Sequence, residues 1–184
     1  MIAAFPQNRI SALFRLSLLV ALALTGFEPG VFAQTSQSTT ATYDDWVVRC
    51  EKRDQGSVCE MTQTTQLKDS NQLVSLIALG AAKGNGPAKV VFQVPVNVWL
   101  QSGIALASSD GQVAIASNFT RCIPNGCLAE ADISQNVLQK LRAMKELGSM
   151  RFKDANQKDV SIPVSFKGFT QAYDAMSKQS IPGR

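Results

Sequence analysis

The feature that most constrains the fold is a set of four cysteines that fall into two local groups. The groups are Cys50 with Cys59 and Cys122 with Cys127. Four cysteines permit three disulfide connectivities. Each group, however, encloses a turn signal, Asp54-Gln55-Gly56 in the first and Pro124-Asn125-Gly126 in the second. A turn between two cysteines places them on opposing arms of a hairpin, where the separation suits a disulfide. The spacing therefore favours local pairing and two covalently closed hairpins.

Redox catalysis and zinc binding are the alternatives to structural disulfides. A redox site needs a thiolate of low pKa, usually in a Cys-x-x-Cys spacing at a helix N-terminus. Cys122 and Cys127 are further apart, and the sequence after Cys127 is typical of a strand. A zinc site of four cysteines usually has pairs separated by about two to four residues, which the first pair does not match. We predict disulfides, with no metal and no other cofactor.

The first 33 residues are organised as a secretory signal peptide. Arg9 and Arg15 precede the apolar stretch 16–24, and small residues follow at the expected cleavage site. This stretch is much shorter than the roughly 20 residues that span a bilayer as a helix. We predict cleavage near Ala33 and a periplasmic protein, with outer-membrane association or secretion as alternatives. No transmembrane anchor is predicted.

The charge of the processed chain argues against nucleic acid as a partner. Without residues 1–33 the chain has 16 Lys and Arg against 13 Asp and Glu, a net charge of +3. These charges are scattered and aromatic residues are few, so the basic footprint of a nucleic-acid-binding protein is missing. A small excess of charge mainly keeps a domain soluble. Peripheral contact with an anionic envelope surface is the alternative.

The chain is divided into four segments by composition. They are a signal peptide at 1–33, a flexible leader at 34–42, a single domain at 43–177 and a disordered tail at 178–184. The leader is assigned because it is polar and low in complexity. Within the domain, short β-prone runs are separated by turn signals about every 8 to 12 residues. This pattern predicts a mainly β fold, an antiparallel β-sandwich of immunoglobulin-like architecture.

One segment breaks the strand pattern and predicts an amphipathic helix. Its apolar residues recur at helical intervals: Val137, Leu138, Leu141, Met144 and Leu147. Ser134 can cap its start and Gly148 can end it. Its other face carries Lys140, Arg142 and Lys145. Packing on a sheet is the ordinary role of such a helix, and contact of the basic face with a membrane or a partner is the alternative.

The residues offer little for catalysis. Histidine is absent from the whole sequence, so Ser-His-Asp and Cys-His catalysis lose their base. Asp44 and Asp45 are the only adjacent carboxylates, and neighbours in a strand point to opposite faces. Trp46 alternates in register with Val48, which predicts core packing. Trp99 follows a proline-containing segment and is a candidate for surface binding.

Four stretches together carry a resemblance to a known family. They are DDWVVRC, VCEMTQ, VPVNVWLQSGIALASSDG and FTRCIPNGCLAEADI. Over about residues 43–176 the chain resembles the invasion-associated locus B family of exported Gram-negative proteins. The resemblance implies an envelope-associated β-sandwich without known enzymatic activity, in which the four cysteines form structural disulfides. The family takes its name from members linked to host-cell entry.

We therefore expect an exported, non-enzymatic protein that binds an envelope or host-surface protein, or that supports surface assembly. A contribution to host-cell interaction, and so to virulence, follows from the resemblance alone. The candidate partner surface comprises Trp99, Lys140, Arg142 and Lys145. A periplasmic thiol oxidoreductase or disulfide chaperone that uses the cysteine pairs is one alternative. A β-sandwich that binds a small ligand is the other.

Overall fold

The computed structural model describes residues 38–54, 56–70, 72–81 and 87–180. The predicted signal peptide lies outside these residues, as do 34–37 of the predicted leader and 181–184 of the predicted tail. No helix in the described part of the chain is long and apolar enough to cross a membrane.

The described residues form eleven strands, two α-helices and a short 3₁₀ helix. In chain order these are β1 (Ser38–Tyr43), β2 (Trp46–Arg53), β3 (Gly56–Gln66), β4 (Leu73–Gly80), β5 (Ala88–Val94), the 3₁₀ helix (Leu100–Ser102), β6 (Ile104–Ala107), β7 (Val113–Ser117), β8 (Phe119–Ile123), β9 (Gly126–Ile133), α1 (Gln135–Ala143), β10 (Leu147–Lys153), β11 (Asp159–Ser165) and α2 (Phe169–Gln179).

Two antiparallel sheets enclose the core, which confirms the predicted β-sandwich. The large sheet has the order β1-β2-β3-β4-β5-β9-β8, and the small sheet has the order β11-β10-β6-β7. Side chains alternate along the strands, so that Val90 and Phe92 of β5 are buried while Lys89 is exposed. Trp46 is 1% exposed and its indole N–H donates to the Ser165 carbonyl oxygen at 2.9 Å. Its predicted place in the core is confirmed.

The two predicted local disulfides are confirmed. Cys50 bonds to Cys59 and Cys122 bonds to Cys127, and each pair lies directly opposite across a hairpin. The Cα atoms are 4.0 Å apart in the first pair and 3.9 Å apart in the second. Such a short separation is typical of the narrow, non-hydrogen-bonded sites of an antiparallel ladder.

The prediction of a single helix missed α2. The buried side chains of α2 are Phe169, Ala172, Tyr173 and Met176, and they pack over β1, β2 and β3. The helix starts after Gly168, whose φ of 78° is strained for any residue with a Cβ. A Cβ there would also overlap the carbonyl oxygen of Tyr43. Lys178 and Gln179 belong to α2, which corrects the predicted start of the tail.

Helix α1 begins where the sequence predicts and ends earlier. The Ser134 hydroxyl accepts the backbone N–H of Val137 at 3.4 Å, so the predicted cap is confirmed. The helix ends at Ala143, and both Leu147 and Gly148 lie in β10. A Cβ on Gly148 would lie 2.5 Å from the Ala107 carbonyl oxygen. Close pairing of β10 with its neighbours therefore overrides the helical periodicity.

The predicted flexible leader is wrong for residues 38–42. Together with Tyr43 these residues form β1, which pairs with β2 along its full length from Ser38 opposite Glu51. Polar composition suggested flexibility, but threonine favours strands, and β2 supplies a hydrogen-bonding edge. The ordered domain therefore begins before Tyr43.

Candidate interaction surface

Several large apolar side chains are exposed together at one end of the sandwich. Val96 is 57% exposed, Leu100 is 49%, Ile123 is 40% and Trp99 is 37%. We call these four residues the end surface. Single exposed apolar residues are ordinary on soluble proteins, whereas a group of them is typical of a binding site.

The end surface is built from two segments that the strand pairing places side by side. Val94, the last residue of β5, lies opposite Cys127 at the start of β9. Chain continuing past Val94 therefore runs beside the β8–β9 turn, which contains Ile123 at its edge. The backbone carbonyl oxygen of Val96 is 3.8 Å from the Cys127 Sγ atom, which shows how close the two segments are.

The segment 95–100 then crosses from the large sheet to the small one. The Trp99 N–H donates to the Lys153 carbonyl oxygen at 2.9 Å, and the Ala155 N–H donates to the Asn97 carbonyl oxygen at 3.2 Å. Val98 also forms an isolated antiparallel bridge with Asp154. The backbone of this crossing is therefore fixed on the turn between β10 and β11.

Trp99 is held from its C-terminal side as well. The Ser102 side chain and backbone N–H both donate to the Trp99 carbonyl oxygen, at 2.7 and 3.1 Å. Gly103 follows with a φ of 62°, and a Cβ there would lie 2.6 Å from the Ser117 carbonyl oxygen. The chain therefore presents an exposed indole on a backbone that is hydrogen-bonded on both sides.

The hairpin beside this segment is closed by the second disulfide. Cys127 is fully buried, whereas Cys122 on the edge strand β8 is exposed. The Gln93 side-chain amide donates to the Asn125 carbonyl oxygen at 2.9 Å and ties the turn to β5. The covalent bond and this hydrogen bond fix the position of Ile123, even though β8 has a strand neighbour on only one side among the described residues.

An open depression adjoins the end surface on the small sheet. It encloses about 520 Å³ and is lined by Ser102 and by residues of β10 and β11. Two of its lining residues, Lys153 and Asp159, form an ion pair at 2.7 Å. Their charges are thus already compensated within the small sheet.

Two of the three basic residues predicted for a partner surface, Lys140 and Arg142, lie on α1, whereas Lys145 follows the end of this helix; none of them lies on the segment that carries Trp99. Helix α1 packs against β7 and α2. Lys140 and Lys145 are exposed. The Arg142 guanidinium is 2.7 Å from the Asp174 carboxylate and 5.7 Å from the centre of the Tyr173 ring. Arg142 therefore links α1 to α2 through an ion pair. Trp99 does not lie on the same element as either lysine.

Sequence reasoning identified Trp99 but missed its apolar neighbours. Val96 lies next to Pro95, Ile123 lies next to Pro124 at the end of β8, and Leu100 begins the 3₁₀ helix. For Val96 and Ile123, an apolar residue next to a proline was the available signal, since the residues that flank a turn proline are usually polar. The sequence could not show that the two turns meet, because β5 and β9 pair across more than thirty residues.

Comparison with known proteins gives consistent results. The family model described as invasion associated locus B (IalB) protein matches residues 46–177. Two invasion protein B homologs of Brucella abortus, from strain 2308 and from biovar 1 strain 9-941, are each 26% identical to this chain over 133 residues. That match covers 72% of this chain and 76% of each relative.

A solved structure shows the same fold. The crystal structure of invasion associated protein B from Bartonella henselae matches with a TM-score of 0.67 and 22% sequence identity. The match covers 78% of this chain and 99% of that protein. Because the family model spans well over half of the sequence, the chain belongs to the invasion-associated locus B family.

Proposed function

We propose that this chain is an exported, non-enzymatic protein of the cell envelope that binds another protein through the end surface. Its location is the periplasm, with outer-membrane association or secretion as alternatives, after cleavage of a signal peptide near Ala33. The N-terminal sequence pattern and the two disulfides support export, since disulfides persist in oxidising compartments.

The observation that carries the proposal is the rigid presentation of Trp99 beside other exposed apolar side chains. Tryptophan is enriched among the residues that dominate binding energy at protein interfaces. Binding costs less when the backbone that carries a contacting side chain is already held in place, because less conformational freedom is lost. The hydrogen bonds from Ser102 and to Lys153 supply that order for the backbone that carries the Trp99 indole.

A protein partner fits the end surface better than a small ligand. The four apolar side chains come from two separate segments and are between 37% and 57% exposed, whereas small ligands bind in concave sites that bury most of their surface. The relatives are named invasion proteins, which adds a contribution to host-cell interaction to the proposal. The absence of histidine and the naming of the relatives support a non-enzymatic role.

Site-specific cross-linking in the producing cell tests this proposal. A photoreactive phenylalanine analogue placed at Val96 should form one reproducible adduct with a partner protein. Val58 provides a matched control, since it is 55% exposed against 57% for Val96 and lies near the opposite end of the large sheet. Identical background adducts from both positions would contradict the proposal.

A substitution completes the test. Trp99→Ala should abolish the Val96 adduct while the unfolding midpoint stays within the range of ordinary surface changes. Adduct formation that persists in Trp99→Ala would show that the end surface does not depend on its indole. Loss of the adduct only in variants that also unfold would likewise count against a binding surface.

A further inference from the structure

The outer edge of β1 is open, and its composition suits the addition of another strand. Among the described residues, β1 pairs only with β2. Its sequence, Ser-Thr-Thr-Ala-Thr-Tyr, contains no charge and no proline, and most of its residues are exposed. Natural proteins usually protect such edges with charges, proline or a bulge, because open edges recruit other strands.

The other three sheet edges carry protection of this kind. Strand β8 has an irregular register between Phe119 and Arg121, and its Arg121 is paired with Glu130 at 2.9 Å. Strand β11 contains Pro163, which cannot donate a backbone hydrogen bond. Strand β7 packs against β9 and α1. A charge, a proline, an irregular register or contact with the other sheet is thus missing at β1 alone among the four described edges, since α2 packs over the face of the sheet that β1 shares with β2 and β3.

The register of the first hairpin shows which backbone groups of β1 face outward. Cys50 and Cys59 form a narrow pair with Cα atoms 4.0 Å apart, so the backbone N–H and C=O of Cys50 point away from β3 and toward β1. Thr39 lies opposite Cys50, so the two residues exchange both N–H···O=C hydrogen bonds. Because backbone groups alternate along a strand, those of Ser38, Thr40 and Thr42 point away from β2.

We propose that β1 pairs with β1 of a second copy of this chain, antiparallel and with Thr40 opposite Thr40. In this register Ser38 lies opposite Thr42 of the other copy, so every outward N–H and C=O of the three residues has a partner. If the register shifts by one hydrogen-bonded pair in either direction, one of these three residues has no partner among the three of the other copy. The contact is self-complementary, as a two-fold dimer requires.

The side chains at this contact are compatible with pairing. Cross-strand threonine and serine pairs are stabilising, and no charged side chain of β1 opposes another. The dimer would join the two large sheets into one continuous sheet. It leaves the end surface free, because that surface lies beside β5 and β9 and not beside β1. The dimer does not rest on the proposed function, and it would present two end surfaces to a partner.

Sedimentation velocity of the exported full chain over a range of concentrations tests the dimer. The unchanged chain should show a concentration-dependent monomer–dimer equilibrium. Thr40→Lys places like charges directly opposite each other and should raise the dimer dissociation constant by about fivefold or more. Thr64→Lys is the matched control, an exposed threonine inside the same sheet on β3, and should have no effect. A chain that is monomeric at every concentration would overturn the proposal.

Charge reversal and cross-linking test the register itself. A mixture of Thr40→Lys and Thr40→Glu chains should associate more strongly than either variant alone, because Thr40 faces its own copy. Thr40→Cys should form an intermolecular disulfide under mild oxidation, whereas Ala41→Cys should not, since Ala41 would face Thr39. Equal cross-linking at both positions, or a dimer unaffected by Thr40→Lys, would contradict pairing through β1.

Discussion

The two disulfide-closed hairpins use the same local chemistry in different surroundings. Each disulfide joins residues directly opposite each other, and both lie on the inner face of the large sheet. Cys50 and Cys59 are 6% and 3% exposed, because α2 packs over β2 and β3. Cys122 is exposed on the edge strand β8, although Cys127 is buried. The hairpins therefore differ in what covers them and not in how they are closed.

This difference in burial indicates different roles for the two disulfides. The first disulfide lies inside the core, where the Gln179 side-chain oxygen of α2 is 3.5 Å from the Cys50 Sγ atom. The second fixes the turn beside the end surface on a strand with little other support. We infer that the first disulfide mainly stabilises the fold, whereas the second mainly holds Ile123 and its neighbours in place.

The largest change in the free energy of unfolding should come from removing the packing of α2 over the first hairpin. Phe169 of α2 is 2% exposed, and its ring packs edge-on against Trp46 at a centroid distance of 5.2 Å. Phe169→Ala should lower the free energy of unfolding by about 3 to 5 kcal/mol, since it leaves a cavity in the core. Denaturant unfolding measures this change.

The matched control is an exposed apolar residue. Leu147 is 58% exposed, and Leu147→Ala should change the free energy of unfolding by less than about 0.5 kcal/mol. A similar small loss for Phe169→Ala would mean that α2 does not cover the first hairpin in solution.

Deleting the disulfides should have the next largest effects, and they should be unequal. In the chain-entropy model, loops of these lengths contribute about 3 kcal/mol for the first pair and about 2 kcal/mol for the second. Replacing both cysteines by alanine at 50 and 59 also removes buried sulfur atoms, which adds to the loss. Unfolding of the two double variants should therefore show the larger loss for the first pair. Equal losses would argue against a difference in packing.

Local sequence predicted both hairpins, because the turn signals and the cysteines that close them lie within ten residues. It also predicted the cap of α1 at Ser134. These features depend on neighbours in the chain, so a pattern of residue types is sufficient. The sandwich followed from repeated short strands with turns between them.

The cover of the first hairpin could not be predicted in the same way. Helix α2 lies more than one hundred residues after Trp46 in the sequence. The Ser165 carbonyl oxygen, which accepts the indole N–H of Trp46, is also more than one hundred residues away in the sequence. Likewise, β1 is ordered because it pairs with β2, which the polar composition of β1 does not predict. The end surface depends on the pairing of β5 with β9, which brings Val96 and Ile123 to one end of the sandwich.

The rate of reduction should distinguish the two disulfides in the folded protein. Thiol exchange requires access to a sulfur atom. Cys122 is exposed, whereas the first pair needs local opening of α2, and an opening cost of about 1.4 kcal/mol slows reaction about tenfold. Mass spectrometry after brief treatment with a mild reductant should find Cys122 and Cys127 labelled first. Labelling of all four cysteines at the same rate would contradict this difference in cover.

A third hairpin, between β6 and β7, shows what closes a turn without a disulfide. Its turn is fixed by Asp110, whose carboxylate accepts the Ser108 hydroxyl and, at 3.1 Å, the Gln112 N–H. The Ser108 hydrogen bond, followed by that from Gln112, holds the pKa of Asp110 below its ordinary value. A lowered pKa in the folded state means that the stabilisation is present above the unfolded pKa. It is lost as the pH falls through the folded pKa.

The β6–β7 hairpin should therefore lose stability as the pH falls through the folded pKa of Asp110. Its effect on stability should be smaller than that of any core or disulfide change, because Asp110 is exposed. An NMR titration of Asp110 should give a pKa that rises toward its ordinary value in Ser108→Ala. Ser109→Ala changes an exposed neighbour in the same turn and should leave the pKa of Asp110 as it is. If both variants shifted it equally, the general conformation of the turn would be responsible and not the Ser108 hydroxyl.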